Sequence, residues 1–264
     1  MKKLAVIGSG PAGMFAGWAG IWSGWHVTFH TPAWVKAKSS SAGVFFLHHD
    51  LGLPLRSAKV DVRYFGGEPE DYRRKIYGEA DVVSSLEKIW DDDDEIYWDG
   101  AQAIDMVWDI METARQSGAV EVVDHAANAD FVKLAKFTYD AVVNTAPLNA
   151  LLDIALPYRD AWVHVGAAPP DESYMLYNAH PGMPWYRAAA AFGRFTLEYN
   201  EKPPEPRTVF PVRKVMPITP AQRAEIEAEF EGVLLTGRFG AWDKSKLSHH
   251  AFNDTADLLE KLDE

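Results

Sequence analysis

Cysteine is absent from all 264 residues. That excludes disulfides, thiolate metal sites, thiol redox chemistry and a cysteinyl link to a flavin, and it fits a reducing cytosol. Positive charge is scarce as well: 26 Lys and Arg stand against 38 Asp and Glu, a formal net charge of −12. A protein that coats nucleic acid needs clustered cations, so this balance argues against general DNA binding; it leaves open DNA as a substrate met by a local basic cleft. No apolar run is long enough to span a membrane, and an apolar strand stands where a signal peptide would be. The expectation is a cytoplasmic protein with no membrane partner. Hydrophobic residues make up 47% of the chain, enough for a sizeable core in one large domain or two closely joined ones. Ten Trp and ten Tyr offer flat surfaces for a ring-shaped cofactor or substrate, although most such residues serve as core.

The most specific signal is the start. Residues 4–13 read LAVIGSGPAG, an apolar run that empties into Gly8, Ser9, Gly10, Pro11, Ala12 and Gly13. In a strand–turn–helix of this kind the first glycine allows the tight turn. The second lets the backbone approach a dinucleotide pyrophosphate, and the third lets the helix pack on its strand with its N-terminus facing the anion. The context supports it, with an Ala/Gly-rich helix over residues 14–22, then Gly24 and a second strand over residues 25–30. The position after that strand, usually a carboxylate for the ribose, carries Thr31. Lys36 and Lys38, with Ser39 to Ser41, follow. They meet a phosphate, either the pyrophosphate or the 2′-phosphate of NADP, or they form a solvated loop.

Further along, the apolar run 44–49 ends in His48 and His49. Residues 59–65 alternate like a half-exposed strand, and residues 68–79 make a short basic, aromatic helix or loop. Residues 91–95 are an acidic run, read as a solvated loop. Residues 103–117 form a helix with Ile104, Val107, Trp108 and Met111 on one face, closed by Gly118. Strands follow at 120–123 and 139–147, then an antiparallel layer from 163–165, 174–177, 189–192 and 195–199. Residues 202–207 are a proline-rich connector, 220–229 a short helix, and 232–237 a last buried strand. That strand ends at Gly237-Arg238-Phe239-Gly240-Ala241-Trp242, and Leu247 and Ser248 lead into a C-terminal helix. A second helix N-terminus beside a glycine turn suits the far phosphate of a long ligand. NAD needs only the first turn, whereas FAD commonly uses both.

Three stretches, LAVIGSGPAG (4–13), VVNTAPLNALL (142–152) and LLTGRFGAWDKSKLSHHAF (234–252), resemble the FAD-binding fold of amine oxidases and UDP-galactopyranose mutase. Nearly the whole chain is similar to a group of small flavoprotein-like sequences of phages and actinobacteria. The matches there are Lys38 with Phe45-Phe46-Leu47-His48, then Pro184-Trp185-Tyr186-Arg187, and Gly237 to Trp242 ahead of Leu247, Ser248 and His249. Some small phage flavoproteins act as lyases on amino-acid-decorated thymine in DNA. The resemblance implies an α/β fold: a Rossmann-like FAD-binding domain of the glutathione-reductase type with an inserted antiparallel sheet for substrate. It implies a division into residues 1–50, 100–152 and 230–264 for FAD, with 51–99 and 153–229 inserted. It places Gly8, Gly10, Pro11, Ala12 and Gly13 on the pyrophosphate, Thr31 where the ribose carboxylate usually sits, Lys38 among the cofactor-binding residues, and Val122 and Val123 along the adenine. Thr145 and Ala146 pass the cofactor, and Gly237, Arg238, Phe239, Gly240, Trp242, Leu247 and Ser248 lie along the second phosphate and the flavin. Arg238 suits a phosphate because its planar fork pairs two oxygens.

For catalysis the candidates are Tyr186 and Arg187, beside Trp185, Arg194 and Tyr199, where an aromatic pair with arginine suits a planar or carboxylate-bearing substrate. His48 and His249 are candidate acids or bases, since imidazole titrates near neutrality. No metal-ligand spacing, G-x-S-x-G elbow, P-loop or zinc deaminase signature occurs. The leading expectation is an FAD-dependent oxidoreductase or lyase acting next to an amine or carbon acid, including modified thymine guided by Arg73, Arg74, Lys75, Arg213 and Lys214. The alternatives are a mutase-like flavoenzyme on a nucleotide sugar and a dinucleotide-binding protein without chemistry.

Overall fold

A computed structural model describes residues 1–36, 43–78, 96–152, 154–203 and 208–264. In chain order the elements begin β1 (Lys3–Ile7), α1 (Pro11–Trp22), β2 (His26–Thr31), β3 (Phe46–Leu47), β4 (Ser57–Lys59), β5 (Asp61–Phe65) and α2 (Pro69–Tyr77). They continue with β6 (Ile96–Asp99), α3 (Gly100–Gln116), β7 (Val120–Asp124), α4 (Ala129–Ala135), β8 (Ala141–Asn144) and α5 (Leu148–Leu151). The last third holds β9 (Tyr158–Ala167), β10 (Tyr174–Asn178), β11 (Trp185–Ala191), β12 (Arg194–Tyr199), β13 (Val209–Val215), α6 (Pro220–Glu229), β14 (Leu234–Leu235) and α7 (His250–Asp263). These elements gather into two compact units, Met1–Ala37 with Ile104–Pro157 and Pro217–Glu264, and Lys38–Ala103 with Tyr158–Met216.

The first unit is a five-stranded parallel sheet in the order β14-β8-β1-β2-β7. Leu4, Ala5, Val6 and Ile7 of β1 are buried, as a strand covered on both faces requires. The chain builds outward from β1 to β2 and β7, then returns to the other side of β1 as β8 and β14. The order therefore reverses between β1 and β8, and that reversal opens a crevice at the strands' carboxyl ends. Helix α1 lies close on the sheet because its contact face is glycine. A Cβ on Gly17 would sit 2.3 Å from Phe29 Cζ, and one on Gly20 2.7 Å from Leu4 and Val27. The amphipathic α7 buries Ala251, Phe252, Thr255 and Leu259. On α3 the 3.6-residue spacing places Ile104, Val107 and Met111 in the core, while Trp108 stacks on Trp34 with ring centroids 5.1 Å apart.

The second unit is a six-stranded sheet, β13-β9-β12-β11-β10-β5, with a small β3-β6-β4 sheet. One face of the large sheet shares a core with α2, in which Tyr72, Ile76, Tyr97, Tyr177 and Tyr186 pack together. The expected antiparallel layer is mixed, because β5 joins β10 in parallel. The sequence reading has no strand at β13, whose apolar residues are interrupted by Pro211, Arg213 and Lys214. An edge position explains it, since an edge strand tolerates a proline and solvated charge. The last strand is shorter than expected and half-buried, being the edge of its own sheet. Residues 43–50 belong to the second unit and α6 to the first, the reverse of the sequence division. The acidic run 91–95 and connector residues 204–207 lie outside the described residues. Among the described residues no helix is long and apolar enough to cross a membrane.

Candidate dinucleotide site

The three glycines of the first turn answer three different constraints. Gly8 has φ +93°, a conformation that side chains rarely adopt, and its N–H donates to the His30 carbonyl at 3.0 Å. A Cβ on Gly13 would lie 2.2 Å from the Gly8 carbonyl oxygen, so only glycine lets α1 start this close to its strand. Around Gly10 a Cβ would meet nothing within 4 Å. That open space lies at the N-cap of α1, which has no side-chain cap and no acid in its first turn. The N–H groups of Ala12 and Gly13 precede the first intrahelical acceptor and Pro11 has none to spend, so the positive end of the helix faces the crevice unneutralised. A cradle of this kind fits a pyrophosphate.

The carboxyl end of β8 supports that turn from below. Thr145 donates its hydroxyl to the Ile7 carbonyl at 2.9 Å and sits under Gly8 and Gly13, and the Ala146 N–H donates to the same carbonyl at 3.0 Å. The sequence reading did not single out Asn144, yet it is the hub. Fully buried, it donates to the carbonyls of Ala146 at 3.1 Å and Gly240 at 3.3 Å and accepts the Ala146 N–H at 3.2 Å. Its only sequence signal is a polar residue ending the apolar strand Ala141–Asn144.

The second turn meets the first. Gly237 has φ +70°, and a Cβ there would fall 2.6 Å from the Ala12 Cβ. A Cβ on Gly240 would collide with backbone of Thr236, Asn144 and Thr145 at 2.4–2.6 Å. Gly240 is therefore a packing glycine, not an approach route for a ligand. Phe239 accepts the Leu148 N–H through its carbonyl at 3.2 Å. Trp242 is a correction to its expected contact with cofactor: it is buried, and its indole N–H donates to the Pro157 carbonyl at 3.2 Å. Arg223 of α6 holds this turn by donating to the carbonyls of Ala241 and, at 2.8 Å, Trp242. Arg238, Leu247 and Ser248 are half-buried along the same segment. The Leu247 N–H donates to His250 Nδ1 at 3.1 Å, and His249 is buried with its ring edge-on to His250.

At the other end of the crevice Thr31 is buried, and its hydroxyl is occupied. It lies 2.9 Å from the Ser9 hydroxyl and donates to the Ala33 carbonyl at 3.0 Å. Thr31 thus ties β2 to the glycine turn instead of offering a free group to a ribose. Val122 and Val123 are half-buried on β7, next to Phe29 and His30. One step further, Asp124 pairs with Thr31 and is exposed. Lys36 is held by Asp105 at 3.1 Å and Asp109 at 3.6 Å. Lys38 lies outside the described residues.

In the second unit Tyr186 and Arg187 converge on Glu198. The Tyr186 hydroxyl donates to Glu198 Oε2 at 2.5 Å, Lys214 donates to the same oxygen at 3.0 Å, and Arg187 donates to Oε1. Burial alone would raise the Glu198 carboxyl, but Arg187, Lys214 and the Tyr186 hydroxyl hold it well below the usual carboxylate range. Burial, with Glu198 beside it, pushes the Tyr186 phenol far up. Consecutive strand residues ordinarily point to opposite faces; a register shift between Trp185 and Arg187 brings these two to one carboxylate. His48 is half-buried, edge-on to Tyr97 at 4.8 Å. Arg194 pairs with buried Asp99 at 3.2 Å, and Tyr199 is buried. The residues of the expected basic guide for nucleic acid each have a partner, although Arg74 and Arg213 stay exposed. Arg73 pairs with Glu70, Arg74 with Asp71 and Lys214 with Glu198, and Arg213 lies 4.6 Å over Tyr158. Lys75 donates to three carbonyls, those of Asn178, His180 and Trp185. Among the described residues no three His, Asp or Glu gather as metal ligands.

No protein-family model matches the chain, and no curated protein does either. Solved structures do. The chain resembles the tetrameric form of 2-methyl-3-hydroxypyridine-5-carboxylic acid oxygenase at 12% identity and TM-score 0.55, covering 100% of this chain and 83% of that one. It is also similar to L-proline dehydrogenase from P. horikoshii, at 10% identity, TM-score 0.47 and 99% and 92% coverage. A third likeness is to the tryptophan 5-halogenase MibH, at 18% identity and TM-score 0.45, over 88% of this chain but only 56% of the halogenase. The chain thus spans little more than half the length of MibH. At such identities what is shared is the fold, and the oxygenase carries that statement: this chain has the fold of a solved oxidoreductase.

Proposed function

We propose that this protein is an FAD-dependent oxidoreductase acting on a small molecule next to an amine or a carbon acid. The observation that carries the reading is the interlocking of two glycine turns at the switch point of a parallel sheet. Gly237 approaches Ala12 so closely that a Cβ on it would fall 2.6 Å from the Ala12 Cβ, while the space around Gly10 stays open. A nicotinamide dinucleotide requires only the first turn; a second turn built against it suits the longer FAD. The fold shared with an oxygenase supports the same class. In this reading Gly10, Ala12 and Gly13 bind the pyrophosphate through backbone N–H groups. Thr145 and Asn144 keep those groups aimed, and Arg238 stands on the second turn. A bound flavin supplies the electron sink, and the chain supplies binding and orientation.

The version on modified thymine in DNA draws little support from the basic residues offered as a guide, since Arg73, Arg74 and Lys214 pair with carboxylates and Lys75 donates to backbone carbonyls. No observation favours the mutase-like alternative over oxidation. The reading is tested by the visible spectrum of the purified protein, before and after heat release of any cofactor. A flavin spectrum with FAD as the released species is expected. A colourless protein that also fails to take up added FAD would overturn it.

A further inference from the structure

Thr31 leaves the adenosine end of the site without its usual acid. Its hydroxyl is buried, bound to Ala33 and beside Ser9, so it cannot stand in for one. The neighbouring strand supplies a carboxylate at the same level. In the β2–β7 ladder Thr31 is the partner of Asp124, and the His125 N–H donates to the Thr31 carbonyl at 3.3 Å, which fixes that register to the end of the strand. Partners on adjacent parallel strands project from the same face about 4.8 Å apart. Asp124 is the last residue of β7, at the carboxyl edge where ligands of such sheets bind. It is exposed, and among the described residues no hydrogen bond or ion pair engages its carboxylate. The described cation nearest in sequence to Thr31, Lys36, is already neutralised by Asp105 and Asp109.

We infer that Asp124 replaces the missing carboxylate of β2, accepting a hydrogen bond from the adenosine ribose and selecting a dinucleotide with a free 2′-hydroxyl over one bearing a 2′-phosphate. The inference rests on the dinucleotide reading of the first unit. A carboxylate accepts from a hydroxyl through a charge-assisted hydrogen bond and repels a phosphate dianion at the same place. With Lys36 occupied, that repulsion has no described counterweight on the β2 side.

The test is calorimetric titration of the full chain, freed of bound cofactor, with ADP-ribose and 2′-phospho-ADP-ribose, a pair differing only in that phosphate. The wild type should prefer ADP-ribose at least about tenfold, and Asp124→Asn should reduce that ratio about tenfold, the value of one charge-assisted hydrogen bond. Asp124→Ser should behave alike, and Glu121→Gln, on the same strand, should leave the ratio unchanged. An unchanged ratio in both Asp124 variants overturns the inference and leaves the dinucleotide reading standing. A wild type that binds both ligands equally also overturns it. Binding of neither by the wild type removes the dinucleotide reading itself. Both Asp124 variants should melt within a few degrees of wild type; a large fall in both would assign Asp124 a structural role and overturn the inference.

Discussion

Glu198 and His30 show how single side chains set the pH range of this molecule. Glu198 is buried among Arg187, Lys214 and the Tyr186 hydroxyl, which hold its carboxyl below the ordinary 4.5. Its folded form releases the proton more readily than the unfolded chain does. The stabilisation is therefore complete above about pH 4.5 and is lost as the pH falls below it. Replacing Glu198 by Gln leaves the half-buried Arg187 and Lys214 without their carboxylate, and a loss of about 3 kcal/mol is expected in urea unfolding. His30 is buried, with Nε2 3.0 Å from the Tyr139 hydroxyl. Burial, and then the neighbouring His125, lower its pKa from 6.5. The unfolded chain thus takes up this proton first on acidification, and stability should decline as the pH drops below about 6.5. His30→Gln should flatten that part of the stability–pH curve; an unaltered slope would show that His30 does not govern it.

Among elements, the two glycine turns separate binding from packing. Gly10 has φ −67° and open space around its missing Cβ, so Gly10→Ala should keep the melting temperature while weakening FAD uptake at least about tenfold. Gly240→Ala forces a methyl against three backbone groups at 2.4–2.6 Å, and overpacking of that kind costs about 1–3 kcal/mol. Parallel thermal melts and flavin-fluorescence titrations check both. Equal losses of stability in the two variants would show that Gly10 also packs. The first turn was legible in the sequence because its strand, glycines and helix are contiguous. The dependence of the second turn on Arg223 was not, since α6 lies a dozen or more residues upstream and its charge pattern resembles any solvated helix.

For the molecule as a whole, the two compact units differ in what a cofactor should stabilise. Both glycine turns, Thr31 and Asp124 belong to the first unit. FAD present at 100 times its Kd should add about 2.7 kcal/mol to that unit's stability by mass action. Hydrogen exchange with and without FAD should show the added protection in β1, β2, β8 and the start of α1. Protection confined to the second unit would place the ligand elsewhere.

The sequence by itself determined the parallel-sheet unit. Its apolar strands, the GSGPAG turn and the small-residue face of α1 are local patterns, and local sterics leave them few alternatives. It also placed a second glycine turn near the C-terminus. Only the tertiary structure decided which of those residues are open and which are packed. Strand order set Asp124 beside Thr31, although 93 positions separate them in the chain. A register shift turned Tyr186 and Arg187 onto one carboxylate, where simple alternation would have parted them. Edge position made a strand of Val209–Val215, whose burial is too slight to write a clear hydrophobic period, and left Leu234–Leu235 shorter and less buried than the sequence implies. Pairing between distant segments leaves no mark in the chain until the sheet forms, because each partner must be compatible with its neighbour but need not announce it.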